Sequence, residues 1–124
     1  MSLNVLLIDD SPIVTQILLK QLTKVGHRVV QTNDPLDGIS IFQSQKFNVV
    51  ILDYNMPNIN GFEVTKIIRK ISKKVQILML TTESLSKIGH KARNLGIDAW
   101  IPKDCKIEVI INALDLIEKR RIKK

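Results

Sequence analysis

The chain carries Val49-Val50-Ile51-Leu52-Asp53, four apolar residues that stop at an acid, and the same pattern occurs earlier in Val5-Leu6-Leu7-Ile8-Asp9-Asp10. Short, uniformly apolar runs of this kind are typical of strands buried on both faces of a parallel sheet. Two later runs also end in polar residues, residues 77–80 at Thr81 and residues 99–102 at Lys103. Because ligands bind just outside the carboxyl ends of the strands in an open α/β sheet, we expect these side chains to share one site.

Strand-like and helix-like stretches alternate five times along the 124 residues, without a linker or low-complexity segment. Five βα units predict a single domain over residues 1–124, with an open five-stranded parallel sheet and helices on both faces, because a closed barrel needs eight units. The second strand, Arg28 to Gln31, is short, and the fifth contains Pro102, so both suit sheet edges. The strand order 2-1-3-4-5 satisfies both conditions and places strands one and three side by side.

Capping residues and periodicity predict where the helices lie. Ser11-Pro12 is expected to begin the first helix and Gly26 to end it, and Asp34-Pro35 is expected to begin the second. The third helix is expected from about Phe62 to Ile71, the fourth from about Ser86 to Leu95, and the fifth after Asp104. The apolar faces that we expect to be buried are Ile13, Ile17, Leu18 and Val25 in the first helix, Leu36, Ile39 and Phe42 in the second, and Ile107, Ile110, Leu114 and Ile117 in the fifth.

The composition favours a cytoplasmic protein. Cys105 is the only cysteine and cannot form an internal disulfide, which fits a reducing compartment. No leader segment is apparent, and no apolar run approaches the roughly 18 residues that a membrane span needs. We therefore expect no membrane association, and we expect the free protein to be a monomer.

The chain is basic, with a formal charge of +7 from 19 Lys and Arg against 12 Asp and Glu. Much of the excess lies in two runs, at residues 66–74 and 119–124. These runs are either two solvated helix faces or surfaces that attract an acidic partner or nucleic acid. Because no nucleic-acid recognition motif is present and few aromatic residues could stack on bases, we expect no direct nucleic-acid binding.

Asp9, Asp10 and Asp53 are expected to meet where strands one and three adjoin. Clustered carboxylates repel one another strongly in a protein interior, and a hard divalent cation relieves that repulsion. Mg²⁺ prefers six oxygen ligands, and Mn²⁺ is an alternative for the same donors. We expect Asp10 and Asp53 to bind the ion directly, Asp9 to act through a water, and the backbone carbonyl of Asn55 to complete the set.

Asp53 also suits nucleophilic attack on phosphorus, because it stands alone at the end of a central strand. Such chemistry depends mainly on positioning and charge neutralisation, which Mg²⁺ and Lys103 would supply. Each acid taken singly could instead be a helix cap or a turn residue, and Thr81 could simply be a β-branched residue that suits a strand end. Their joint occurrence at matching strand ends favours a site for a phosphoryl group.

These residues resemble those of a response-regulator receiver domain along the whole chain. The matching residues are Asp9-Asp10, Leu52-Asp53-Tyr54-Asn55-Met56-Pro57, Gly61, Thr81 and Lys103. The resemblance implies a flavodoxin-like fold in which Asp53 accepts a phosphoryl group from a histidine kinase or phosphotransfer domain, with Mg²⁺ required. A protein of this family catalyses only its own phosphorylation and dephosphorylation, so we do not expect an enzyme that acts on a separate substrate.

Two segments are most similar to single-domain CheY-like chemotaxis regulators: Met79-Leu80-Thr81-Thr82-Glu83-Ser84 and Ala99-Trp100-Ile101. The resemblance implies that Thr81 moves to bond the phosphoryl group and that Trp100 turns inward, although Trp100 could also be an ordinary half-buried strand aromatic. The surface of helix four, strand five and helix five would then bind a downstream protein, which for this subfamily is expected to be the flagellar motor switch. Asn55 and Glu83 stand where such proteins tune dephosphorylation.

Asp104 departs from the family pattern, in which proline commonly follows the lysine through a cis bond. A cis bond before a non-proline residue costs about 3 kcal/mol, so the loop is either trans and rearranged or cis and strained. Asp104 could also cap the fifth helix, or it could draw Lys103 away from the site.

Two other functions compete with a phosphorylation-controlled binding module. A phosphate shuttle or sink in another phosphorelay stays open, because the sequence does not distinguish it from motor control. A haloacid-dehalogenase-like phosphatase needs a second acid two residues after the nucleophile, and that position is Asn55 here, which disfavours such an enzyme.

Overall fold

Five parallel strands form the centre of the fold, in the order β2-β1-β3-β4-β5. The structure is a computed structural model in which residues 2–82 and 85–122 are described. The strands are β1 (Asn4–Ile8), β2 (Arg28–Thr32), β3 (Val49–Asp53), β4 (Gln76–Thr81) and β5 (Ala99–Pro102). Every neighbouring pair is parallel, and the strand order predicted from the two weak edge strands is confirmed.

The strands are joined by α1 (Pro12–Lys24), α2 (Pro35–Ser44), α3 (Gly61–Ile71) and α4 (Leu85–Leu95), and α5 (Ile107–Ile122) follows β5. The predicted starts of α1 and α2 are confirmed, because the side chains of Ser11 and Asp34 accept backbone N–H groups of the first turn. Asn60 and Glu63 form a reciprocal capping box at the start of α3. Gly26 follows α1 with a φ of 100°, a left-handed conformation that favours glycine.

Alternation along β3 divides its side chains between two cores. Val49 and Ile51 pack in a cluster with residues of α1 and α5, whereas Val50 and Leu52 pack in a second cluster with residues of α2 and α3. Because successive side chains of a strand point to opposite faces, a strand covered by helices on both sides must be apolar throughout. Asp53 is the only polar residue of β3 and its last residue, and it is buried like the four apolar residues before it.

The predicted buried face of α1 is wrong in three of its four residues. Ile13, Ile17 and Val25 are exposed, at 70%, 54% and 48% of their surface. The side that is buried consists of Thr15, Leu18 and Leu22. Apolar residues occur around most of this helix, so a period of about 3.6 residues fits more than one face. Thr15 can be buried because its hydroxyl donates to the backbone carbonyls of its own first turn. In α2, Leu36 is likewise exposed rather than buried, whereas Phe42 is buried as expected.

Arg69 connects the end of α3 to the segment that follows α4. Its guanidinium donates to the carbonyl oxygens of Gly96 and Val75, with nitrogen–oxygen distances of 2.6 Å to each, and to the carboxylate of Asp98 at 2.9 Å. Asp98 also accepts the backbone N–H of Ile77 in β4 at 2.8 Å. One side chain therefore links α3, the start of β4 and the turn that leads into β5.

Arg69→Met is expected to lower the free energy of unfolding by about 2–4 kcal/mol, because several carbonyl oxygens and a carboxylate lose their donor. Urea unfolding measures the effect. Lys70→Met is the matched control, since it removes the same charge from an exposed neighbour, and it should change the free energy by no more than about 0.5 kcal/mol. Equal losses in the two variants would show that the network of Arg69 contributes nothing specific.

Candidate functional site

The carboxyl ends of the strands bring the expected side chains together. Asp9 follows β1, Asp53 ends β3, Thr81 ends β4 and Lys103 follows β5. One carboxylate oxygen from each of Asp9, Asp10 and Asp53 lies within 4.8 Å of the other two. Asp9, Asp53 and Thr81 are buried, whereas Asp10 is exposed and forms the open side of the cluster.

Lys103 lies between the two buried acids. Its Nζ donates to Asp53 Oδ2 at 2.9 Å and lies 3.4 Å from the carboxylate of Asp9. The described residues contain no cis peptide bond, so the bond between Lys103 and Asp104 is trans. Asp104 is exposed and does not draw Lys103 away from the acids. It is also not the cap residue of α5, which begins three residues later at Ile107.

The buried acids have raised pKa values. Burial raises the pKa of Asp53 from its ordinary value of 3.8 to about 6, and the charge of Asp9 adds to this, while the hydrogen bond from Lys103 opposes it. Burial also raises the pKa of Asp9. Burial lowers the pKa of Lys103, but its hydrogen bond to Asp53 and the two negative charges outweigh that effect and raise it, so the ammonium group stays charged at neutral pH.

The acid cluster fits a hard divalent cation. Asp9 Oδ2 is buried and accepts no hydrogen bond within the described ranges 2–82 and 85–122, and Lys103 Nζ lies 3.4 Å from it. A buried carboxylate oxygen without a donor is costly, and a cation removes that cost. The donors of the cluster are all carboxylate oxygens, which are the ligands that ions such as Mg²⁺ and Mn²⁺ prefer.

The raised pKa of Asp53 predicts a pH dependence of stability in the metal-free protein. Between about pH 4 and pH 6 the folded chain binds more protons than the unfolded chain, so the free energy of unfolding falls as the pH rises through this window. The raised pKa of Asp53 changes the free energy of unfolding by at most about 3 kcal/mol across this window. Asp53→Asn should remove the part of this decrease that Asp53 causes. The free energy of unfolding of the variant should therefore rise relative to that of the parent as the pH increases. Urea unfolding with a chelator at several pH values measures the difference, and parallel pH profiles would contradict the prediction.

Asn33 orients Asp9, and sequence reasoning missed it. Its side-chain amide donates to the backbone carbonyl of Asp9 and to the hydroxyl of Thr15, both at 2.9 Å. The backbone N–H of Ser11 donates to Asp9 Oδ1, also at 2.9 Å. An asparagine in the turn before α2 resembles any other turn residue, so no sequence signal could have identified this contact.

Gly61 allows α3 to begin directly beside the end of β3. A Cβ atom at this position would lie 2.6 Å from the sulfur of Met79 and 2.8 Å from the backbone oxygen of Asp53. Only glycine avoids these contacts, and a larger residue would displace the loop that carries Asp53.

Trp100 is half-buried on the face of the sheet that carries Met79 and Thr81, since Met79 pairs with Trp100 in the register of β4 and β5. The centroids of the Tyr54 and Phe62 rings each lie 6.1 Å from that of Trp100. In the neighbouring loops, the Thr82 hydroxyl donates to Asn55 Oδ1 at 3.3 Å. Glu83, the other residue predicted to tune dephosphorylation, lies outside the described residues.

The family model for the response regulator receiver domain matches residues 5–115. The sensor histidine kinase RcsC of Escherichia coli strain K12 is 28% identical over 116 residues, which cover 94% of this chain and only 12% of RcsC.

No helix among the described residues is long and apolar enough to cross a membrane.

Two solved structures are similar in fold. The chemotaxis protein CheY4 of Vibrio cholerae matches with a TM-score of 0.89 and 31% identity, over 94% of this chain and 99% of that one. The response regulator protein TrrA of Thermotoga maritima, in complex with Mg²⁺ and BeF, matches with a TM-score of 0.82 and 25% identity, over 92% of this chain and 97% of that one.

Proposed function

Because this chain belongs to the response regulator receiver domain family, we propose that Asp53 accepts a phosphoryl group from a histidine kinase or phosphotransfer domain and that the domain thereby switches its affinity for a partner protein. The observation that carries the proposal is the contact of Lys103 Nζ with Asp53 Oδ2, at 2.9 Å, beside a cluster of three acids. This arrangement supplies a buried nucleophile, a fixed positive charge and a set of oxygen ligands in one place.

In the proposed reaction, an Asp53 carboxylate oxygen attacks the phosphorus of a phosphohistidine. The new O–P bond forms as the N–P bond to the imidazole breaks. Asp53 is held in place by two hydrogen bonds, from Lys103 Nζ to Oδ2 at 2.9 Å and from the backbone N–H of Asn55 to Oδ1 at 3.2 Å. Lys103 stays charged and stabilises the negative charge that the phosphoryl oxygens bring to the site.

The cation that we assign to this site is Mg²⁺, with Mn²⁺ as an alternative. Asp10 and Asp53 would hold it directly, Asp9 would act through a water, and the backbone carbonyl of Asn55 would complete the protein ligands. When bound, the ion supplies positive charge for the phosphoryl oxygens and relieves the repulsion among the acids. The similar structure of TrrA, which is a complex with Mg²⁺ and BeF, supports this assignment.

We assign the switch to Thr81 and Trp100. Thr81 is buried at the end of β4, on the same face as the half-buried Trp100 of the neighbouring strand. A phosphoryl group on Asp53 adds a charge of about −2 and strong acceptor oxygens, which attract the Thr81 hydroxyl. The space that Thr81 leaves lets the indole turn inward, and the surface of α4, β5 and α5 changes with it.

The pathway that we propose is chemotaxis, with the flagellar motor switch as the downstream partner. The 31% identity to the chemotaxis protein CheY4, over nearly the whole of both chains, supports this choice. A role as phosphate shuttle or sink in another phosphorelay is the alternative, and the similarity to a segment of the sensor histidine kinase RcsC is compatible with it. Asn55 and Glu83 are assigned to setting the lifetime of the phosphoryl group in either case.

The fluorescence of Trp100 tests the proposed switch, because Trp100 is the only tryptophan in the chain. Adding beryllofluoride in the presence of Mg²⁺ should change the emission, because the indole exchanges its contacts with Tyr54 and Phe62 for a more buried position. Asp53→Asn should abolish the change, and Thr81→Ala should reduce it. An identical response in Asp53→Asn would place the fluorescence change outside the proposed site.

A further inference from the structure

One residue from each of the two basic runs lies at the end of the sheet opposite Asp53. Lys74, at the end of the first run, and Arg120, in the second, line one cavity of about 390 Å³. The cavity lies where β3 and β4 begin, between the segment that follows α3 and the last turns of α5. Asp53 and Thr81 lie at the other ends of the same two strands, so the cavity is separate from the site proposed above.

The polar lining of the cavity is rich in hydrogen-bond donors, and none of the described residues that line it is an acid. Asn48 uses its side-chain oxygen to accept the backbone N–H of Asn4 at 2.7 Å, which leaves its amide N–H groups to donate. The hydroxyl of Ser72 accepts the backbone N–H of Val75 at 3.2 Å and keeps its proton to donate. An anion matches such a lining, because it can accept from all of these groups.

The two cations of the cavity are not neutralised within the described part of the chain. Neither Lys74 nor Arg120 forms an ion pair there, whereas the neighbouring Lys119 is paired with Asp115 at 3.1 Å. Arg120 offers a planar fork of donors that matches phosphate, and Lys74 adds a second positive charge.

The remaining wall of the cavity is apolar and includes an aromatic ring. Phe47, Val75 and Ile117 line it, and Phe47 is half-buried with one side stacked on Phe42 at a centroid distance of 6.2 Å. A half-buried ring of this kind offers a flat surface on which a planar ligand can pack.

We propose that this cavity binds a small organic anion that joins a phosphate group to a planar ring, the chemistry of a nucleoside monophosphate. The volume of about 390 Å³ lies within the range of roughly 300–1,000 Å³ that is usual for small-molecule sites. The phosphate lies against Arg120 and Lys74, and the ring packs on Phe47. A concave cavity with one aromatic wall suits a small molecule better than a nucleic-acid strand, which needs an extended basic groove with several stacking rings.

Calorimetric titration of the full 124-residue chain tests this proposal, with adenosine 5′-monophosphate as the probe and with adenosine and inorganic phosphate as comparisons. The double variant Lys74→Gln, Arg120→Gln is expected to weaken binding of the monophosphate at least about tenfold. The matched control is Lys20→Gln, Lys24→Gln, which removes the same charge from exposed positions of α1 and should change the affinity by less than about twofold. Thermal unfolding of both variants verifies that they are folded.

Three results would overturn the proposal. If the monophosphate does not bind, the proposal is wrong. Equal weakening in the two double variants means that net charge, rather than the cavity, attracts the anion. Steeply salt-dependent binding of a single-stranded oligonucleotide that is tighter than binding of the monophosphate, and that is impaired by Lys74→Gln, Arg120→Gln but not by the control variant, assigns the basic runs to nucleic acid instead. We expect adenosine and inorganic phosphate each to bind more weakly than the monophosphate, because each lacks one half of the proposed ligand.

Discussion

Lys103→Met is expected to slow phosphorylation of Asp53 by a small phosphodonor at least about 100-fold, since removing one preorganised charge-stabilising donor from a buried site typically has this effect. Lys103 Nζ lies 2.9 Å from Asp53 Oδ2 and 3.4 Å from the carboxylate of Asp9. Without it, both buried acids lose their counter-charge, and protonation of Asp53 removes the nucleophile. The rate is measured by intact mass against time after the phosphodonor is added.

Lys106→Met is the matched control for this experiment. Lys106 is exposed, lies three residues further along the same loop and carries the same charge. Its replacement should leave the rate within about twofold, because a charge that is screened by solvent contributes little. If both variants are slowed equally, the net charge of the loop governs the reaction, and the role given to Lys103 is wrong.

Removal of divalent cations is expected to abolish phosphorylation of Asp53 and to lower the melting temperature of the unphosphorylated protein. One carboxylate oxygen from each of the three acids lies within 4.8 Å of the other two, so the folded chain should bind Mg²⁺ far better than the unfolded chain. At a concentration of Mg²⁺ 100 times its dissociation constant, binding should raise the free energy of unfolding by about 2.7 kcal/mol. Thermal unfolding with Mg²⁺ and with a chelator measures this difference.

Asp10→Asn should lose most of the stabilisation by Mg²⁺, because Asp10 is the exposed member of the cluster and a proposed direct ligand. Asp104→Asn removes an equal charge from an exposed position in the loop after Lys103 and should retain the stabilisation. Full stabilisation of the Asp10→Asn protein by Mg²⁺ would mean that the ion binds elsewhere.

The strands and their order could be predicted because the signals are local and strong. β3 is uniformly apolar until Asp53, since helices cover both of its faces, and an abrupt acid therefore marks the edge where a site forms. Pro102 marked an edge strand because it lacks a backbone donor. Such features are visible in a few adjacent residues, and the structure places Asp9, Asp10, Asp53 and Lys103 together as expected.

Helix faces and long-range polar contacts could not be predicted in the same way. The face of α1 was misassigned because Ile13 and Ile17 are as apolar as the buried Leu18 and Leu22, and only packing against the sheet selects between the two faces. The contacts of Arg69 with Gly96 and Asp98 join positions 27 and 29 residues apart, and no local pattern marks them. The trans bond before Asp104 was one of two alternatives that the sequence left open.

Intact-mass spectrometry of the chain after incubation with acetyl phosphate and Mg²⁺ tests whether Asp53 accepts a phosphoryl group. We expect the added mass of one phosphoryl group on the parent chain, no added mass on Asp53→Asn, and no added mass when a chelator replaces Mg²⁺. A phosphoryl group that persists in Asp53→Asn, or a parent chain that stays unmodified by acetyl phosphate and by a phosphorylated histidine phosphotransfer domain alike, would contradict the assignment of Asp53 as the phosphoacceptor.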